Sequence, residues 1–253
     1  MFELNLVAEA VVVCFCIGLS AYTQSTLGFG YAVLLVPLLT LFIDPKSAIA
    51  LTQLVGLGVS AISYAEYTPR TKIRSIAPIA LAATIATPLG AWVLLAGSEQ
   101  TILICVGLGI AISAIGTLIR SKMSTDSHSE TIKLQILAGT VSGLLRGSVS
   151  MPGPPVIIYQ HWIGGGADQI RSRMFAYMIA MALPTTIILL IMGVFSWQII
   201  YYAVPGLLAV FIGNYISQKT RDLMTEQIFK SLSITLLIVS AVVLIIRGFT
   251  GTN

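Results

Sequence analysis

Charge is what this sequence has least of. Of its 253 residues 14 are lysine or arginine and 10 aspartate or glutamate, 9% in all, where a soluble domain carries roughly 25%. That shortage excludes an ordinary soluble fold. It also excludes a nucleic-acid footprint, because almost all of the charges lie in short gaps between apolar blocks. Histidine is scarcer still: His128 sits in a polar loop and His161 at a segment end, so neither has neighbours spaced for a metal site or for general-base work. Cys14, Cys16 and Cys105 all lie in apolar blocks without a CxxC pair, which fits structural roles and indicates no redox compartment. No nucleophile constellation is visible, and the GLG and GGG runs lack the strand-to-helix context of a nucleotide fingerprint. The expectation is therefore no enzyme and no cofactor. MFELNLVAEA also lacks a basic n-region and a small-residue cleavage site, so the first block is expected to be a retained helix rather than a signal peptide.

What is there is apolar. Blocks run over about 4 to 22, 31 to 43, 45 to 67, 76 to 97, 101 to 119, 134 to 160, 174 to 194, 199 to 217 and 228 to 247. Several reach the ~20 residues that a bilayer-spanning helix needs. Two loops interrupt them most clearly. TPRTKIRS carries Arg70, Lys72 and Arg74, and RSKMSTDSHSETIK carries Arg120, Lys122 and Lys133, so the positive-inside rule places both in the cytoplasm.

The second loop is the natural joint between two halves. SEQTILICVGLGIAISAIGTLIR, from Ser98, aligns without gaps to TEQIFKSLSITLLIVSAVVLIIR, from Thr225, with Glu99/Glu226, Gln100/Gln227, Ser113/Ser240, Ala114/Ala241, Ile119/Ile246 and Arg120/Arg247 identical. Upstream, Gly90 corresponds to Gly213, and STLGFGYAVLLVP to RGSVSMPGPPVII. The loop charges of matching elements fall on opposite sides: FIDP, with Asp44, should lie outside, and its counterpart GGGADQIRSR, with Arg171 and Arg173, inside. The halves are thus expected to be an inverted repeat. The chain from Lys133 to Arg171 must then begin and end in the cytoplasm, as a re-entrant hairpin. Arg247 would fall outside, as one exception to the charge rule.

Non-helical backbone is tolerated at membrane depth only where protein buries it or where it lines a watery cavity. Pro152, Pro154 and Pro155 predict a break between about Ser150 and Pro155. The approach carries Gly139, Gly143 and Gly147 at four-residue spacing, one helix face, which serves either close helix packing or, at Gly147, ligand contact. Arg146 is the only basic residue predicted to lie well away from a loop or chain end, at a cost of about 2.5 to 3.5 kcal/mol near a helix centre. Two readings stay open for it: snorkelling or carbonyl capping at the cytoplasmic face, or a counter-charge for an anion. The other predicted break, YTQSTLGFGYAVLLVP, supplies Gln24, Ser25, Thr26, Gly28 and Gly30, and helix N-termini after both breaks would aim free N–H groups inward. Gln53 and Asn214 are candidates for either interhelical hydrogen bonds or ligand contact, and Tyr22, Tyr31 and Tyr177 for packing or lipid contact.

STLGFGYAVLLVPLL, followed by DPKSAIALTQL, together with the second copy SGLLRGSVSMPGPPVIIY, resembles the TauE/SafE family of sulfite exporters, also called TSUP transporters, over about residues 8 to 247. The resemblance implies a bacterial inner-membrane transporter of sulfite, sulfonates or related anions. Members commonly show a glycine pair directly before the apolar run in each half. Here Gly28-Phe29-Gly30-Tyr31 and Met151-Pro152-Gly153-Pro154 stand instead.

The expected fold is an all-α polytopic membrane protein of two inverted-topology repeats, each a broken or re-entrant helical segment followed by three transmembrane helices. Its parts are a first repeat over 1–121, a cytoplasmic polar linker over 122–133 and a second repeat over 134–253. The expected activity is transport, by export, of a sulfur-containing anion held near the midplane, with one repeat rocking against the other. The expected substrate-binding residues are Gln24, Ser25, Thr26, Gly28, Gly30, Gln53, Arg146, Gly147, Ser148, Ser150 and Gly153. The partners are that anion and the lipid bilayer, with no nucleic acid, and a homo-oligomer is compatible with the sequence. The alternatives are passage of another small ion, or a non-catalytic membrane assembly subunit.

Overall fold

The computed structural model describes residues 6–27, 30–66, 71–120, 131–164 and 167–220. Among them all regular structure is helical: α1 (Leu6–Leu27), α2 (Tyr31–Leu39), α3 (Pro45–Glu66), a 3₁₀ turn (Ile73–Ile76), α4 (Ala77–Ala96), α5 (Glu99–Arg120), α6 (Ile132–Val149), α7 (Gly153–Trp162), α8 (Ala167–Ile191) and α9 (Trp197–Thr220). Five of these stretches are long and apolar enough to cross a bilayer: Ala8–Thr26, Pro45–Glu66, Ile73–Ala96, Asp168–Ile191 and Trp197–Thr220. Large apolar side chains such as Phe15, Ile85, Trp92, Ile191 and Trp197 are exposed, as a hydrocarbon surrounding requires and water would penalise. The protein is an all-helical, polytopic membrane protein. The linker expected at 122–133 and the last apolar block lie mostly or wholly outside the described residues.

The predicted breaks are narrower than the sequence suggests. Gln24, Ser25 and Thr26 belong to α1, not to a broken stretch. The hydroxyls of Thr23 and Thr26 bond the carbonyls of Leu19 (2.9 Å) and Tyr22 (2.8 Å), four residues back, and so remain compatible with helix. At the second break only Ser150, Met151 and Pro152 are non-helical. Pro154 and Pro155 stand in the first turn of α7, where a missing N–H costs nothing and the fixed φ suits the helix.

Both breaks reverse the chain. Eight residues of helix carry the backbone ~12 Å from Ser142 to Ser150, yet Ser142 Oγ donates to the carbonyl of Pro152. Gly30 likewise lies back beside Thr23, whose Cγ2 is 3.6 Å from the position of a Cβ on that glycine. Thus α1–α2 and α6–α7 are two hairpins.

Hydrogen bonds at the bundle ends fix helix directions. At one end Lys46 Nζ donates to Leu95 O (3.0 Å), joining the start of α3 to the finish of α4, and Tyr202 near the start of α9 donates to Glu9 Oε1 (2.9 Å) on α1. At the other end Thr71 N–H donates to Ser172 Oγ (2.7 Å) on α8, while Asn214 and Gln218 of α9 donate to Glu66 at the finish of α3. Therefore α3 and α8 run in opposite directions, as do α4 and α9. Asn214 is thereby an interhelical hydrogen-bonding residue.

The most extensive helix pairs are α4 with α6 and α1 with α9. Each joins the first limb of a hairpin to a helix of the other half. Glycine permits this: a Cβ on Gly139, Gly143 or Gly147 would collide with the carbonyls of Ile79, Ala83 and Thr87 on α4, and one on Gly213 with Gly18 O on α1. These contacts are backbone on backbone, the close approach that small residues make available where lipid supplies no hydrophobic drive between helices.

Candidate functional site

Between the two breaks lies a cavity of ≈ 40 Å³, bounded also by α3 and α8. A water needs roughly 10–15 Å³ by this measure, so the space suits a few waters or one small oxyanion. Six of the eleven sequence-predicted residues line it: Gln24, Gly30, Gln53, Arg146, Ser150 and Gly153.

Arg146 is 4% exposed, and its Nε has no hydrogen-bond partner. It does not snorkel to either surface. Among the described residues no carboxylate lines the cavity. The two glutamates near helix ends are engaged elsewhere, Glu9 with Tyr202 and Glu66 with Asn214 and Gln218. A buried, permanently charged guanidinium without a counter-ion among the described residues is in a costly state, and a bound anion offsets that cost directly.

The neutral groups around it are donors as well. Gln53, on α3, is 3% exposed with no partner for Nε2, and the buried hydroxyl of Tyr31 also has none. Tyr31 opens α2, with Ala32 and Val33 beside it on the cavity wall. The first intrahelical bond at this terminus, Leu34 N–H to Gly30 O (3.0 Å), leaves the N–H groups of residues 31 to 33 outside the helical ladder. Gly30 reaches this geometry with φ of 104°, a left-handed conformation natural to glycine.

The second break is built differently. Ser150 is the only non-glycine with positive φ (57°) among the described residues, and its N–H caps Arg146 O (3.0 Å) as a left-handed helix stop. Its hydroxyl donates to Ile49 O (3.1 Å), fastening the break to α3. Ser142 is held by Tyr177 on α8 (Oγ to OH, 2.6 Å) while it donates to Pro152 O, so α8 braces both limbs of the hairpin beneath Arg146.

Four predicted residues do not line the cavity. Ser25 is buried elsewhere. Thr26 shares a hydrogen bond with Ser217 of α9 (2.8 Å). Gly147 faces α4, and Ser148 Oγ returns to Leu144 O (2.8 Å) on its own helix. Gly28 lies outside the described residues. Sequence reasoning missed Thr52, Gly56 and Ser60, which line the cavity with Gln53. Their four-residue spacing was a readable signal, a small and polar stripe along α3. Tyr31, which the sequence offers for packing or lipid contact, instead lines the cavity directly after Gly30, at the mouth of α2.

A family model described as sulfite exporter TauE/SafE matches residues 11–244. Neither a curated protein nor a solved structure matches the chain.

Proposed function

The chain belongs to the sulfite exporter TauE/SafE family, and from that membership we propose that it carries a small sulfur oxyanion, of the sulfite or sulfonate class, through the cavity between its two breaks, outward across a bacterial inner membrane. It is a membrane transporter by family. The observation that carries the finer reading is the buried Arg146 guanidinium, whose Nε has no partner, set with Gln53 Nε2 and Tyr31 OH, both also without partners, and the free end of α2. Charge-assisted hydrogen bonds to such donors are short and strong, and the positive end of the α2 dipole adds to them. Among the described residues no carboxylate lines the cavity, which weighs against a cation as cargo.

Inverted repeats are the architecture we infer for the halves 1–121 and 134–253, supported by the opposite running directions of α3 and α8 and of α4 and α9. Alternating access is then a movement of the α1–α9 pair relative to the α4–α6 pair. Those pairs cross the division at 122–133, so the moving bodies are not the two sequence halves.

The test is equilibrium binding of sulfite to purified protein and to Arg146→Gln. Loss of the charge should weaken binding at the central site by ~100-fold, as expected for a buried charge-assisted contact. Unchanged affinity in folded variant protein overturns the reading.

A further inference from the structure

A second cavity, of ≈ 240 Å³, opens at the end of the bundle where α8 begins. It lies between the start of α4, the first turn of α6, the last turn of α7 and Arg173 of α8. Gln135, Gln160, Ser75 and Arg173 supply its polar wall, and no carboxylate lines it among the described residues. We propose that this cavity is a second oxyanion station, a vestibule distinct from the central site, which rests on the anion-transport reading above.

The side chains carry that assignment. Arg173 Nη1 donates to Gly164 O (3.1 Å) and to Gln160 Oε1 (3.4 Å), which aims the guanidinium and leaves its other donors uncommitted among the described residues. Gln135 is 7% exposed, and its Oε1 has no partner. A protonated oxyanion such as hydrogen sulfite satisfies both at once. Its oxygens accept from Arg173 and its O–H donates to Gln135 Oε1.

The opposite end provides a control within the molecule. The pocket between the starts of α3 and α9 occupies the matching place in the other half, where it holds only ≈ 10 Å³ and is lined by Asp44 with no basic residue among the described ones. An anion therefore has a built waiting place at one end of the bundle and not at the other. Entry from the α8 end, which the loop charges assign to the cytoplasm, suits a protein that collects its cargo there.

Radiolabelled sulfite binding to the detergent-purified full-length chain tests the proposal. Wild type should bind two anions, Arg146→Gln one at the vestibule, and Arg173→Gln one at the centre. Because Arg173 also caps Gly164, Gln135→Leu serves as a second variant that keeps the charge and the cap. It should weaken the vestibule site ~10-fold without lowering the melting temperature. Central binding that is unchanged by both variants, with no second site in wild type, overturns the vestibule and leaves the central reading standing. Two wild-type sites of which Arg173→Gln removes one and Arg146→Gln none support the vestibule and overturn the central site. No bound sulfite in wild type overturns both.

Discussion

The two hairpin tips face one cavity with opposite equipment. At the first, a glycine in a left-handed conformation delivers the chain into α2, whose opening residues Tyr31, Ala32 and Val33 have backbone N–H groups to give and carry no charge. At the second, Arg146 brings the charge, but Pro154 and Pro155 strip α7 of two of the donors that its first turn would otherwise offer. The difference teaches that two breaks facing one cavity need not share one chemistry. On the anion-transport reading proposed above, one charge facing one set of neutral donors would hold a small anion without the grip that two arginines would exert, and a transporter must release what it binds.

Variants that make the tips more alike test this division of labour. The largest effect is expected from Gly30→Val. A Cβ meets only ordinary contact there, with Thr23 Cγ2 at 3.6 Å, so the main penalty is conformational, ~2–3 kcal/mol for a β-branched residue at φ of 104°. Thermal unfolding followed with a thiol-reactive dye, which reports on Cys14, Cys16 and Cys105 as they become exposed, measures it. Next comes Tyr31→Phe, which deletes a buried hydroxyl that lacks a partner. Sulfite affinity should fall ~10-fold while stability holds or rises slightly, since no protein hydrogen bond is lost. Pro154→Ala returns an N–H to α7 and moves the second tip toward the first. Binding should tighten by ~2–5-fold, the scale of one added contact at a helix N-terminus. The smallest effect belongs to Ser150→Gly. Relief of a left-handed non-glycine, ~1 kcal/mol, is offset by loss of the bond to Ile49 O, also ~1 kcal/mol, so the melting temperature should scarcely move. A large destabilisation there would erase the contrast with Gly30.

Much of this was legible beforehand. Apolar block lengths announced the spanning helices, and the anomalies at Arg146 and at Gly30 marked the cavity walls. The sequence misled where a polar or breaking residue has a second way to be satisfied. Thr26 looks like loop material, yet its hydroxyl bonds the carbonyl one turn back and keeps it helical. Pro154 and Pro155 look like the break itself, yet they begin a helix. Gln24 and Thr26 sit two residues apart on one helix, so one reaches the cavity and the other turns to Ser217. No pattern along the chain separates them until the neighbouring helix is in place. Tyr31 is illegible for a related reason: an aromatic in an apolar run reads as packing, and only the folded chain shows that it lines the cavity and that its buried hydroxyl has no partner.

The pairing of α1 with α9 has a consequence for how the molecule is made. Gly18 packs on Gly213, which is synthesised only after most of the chain has already entered the bilayer. The first hairpin must therefore wait, its glycine face uncovered, through the insertion of every helix between, and contacts so distant along the chain are slow to close. The second hairpin has no such delay, because α4 is already present when α6 arrives. The half born first is thus the half completed last, and a chain stalled before α9 would leave the ribosome with one hairpin seated and the other still without its berth.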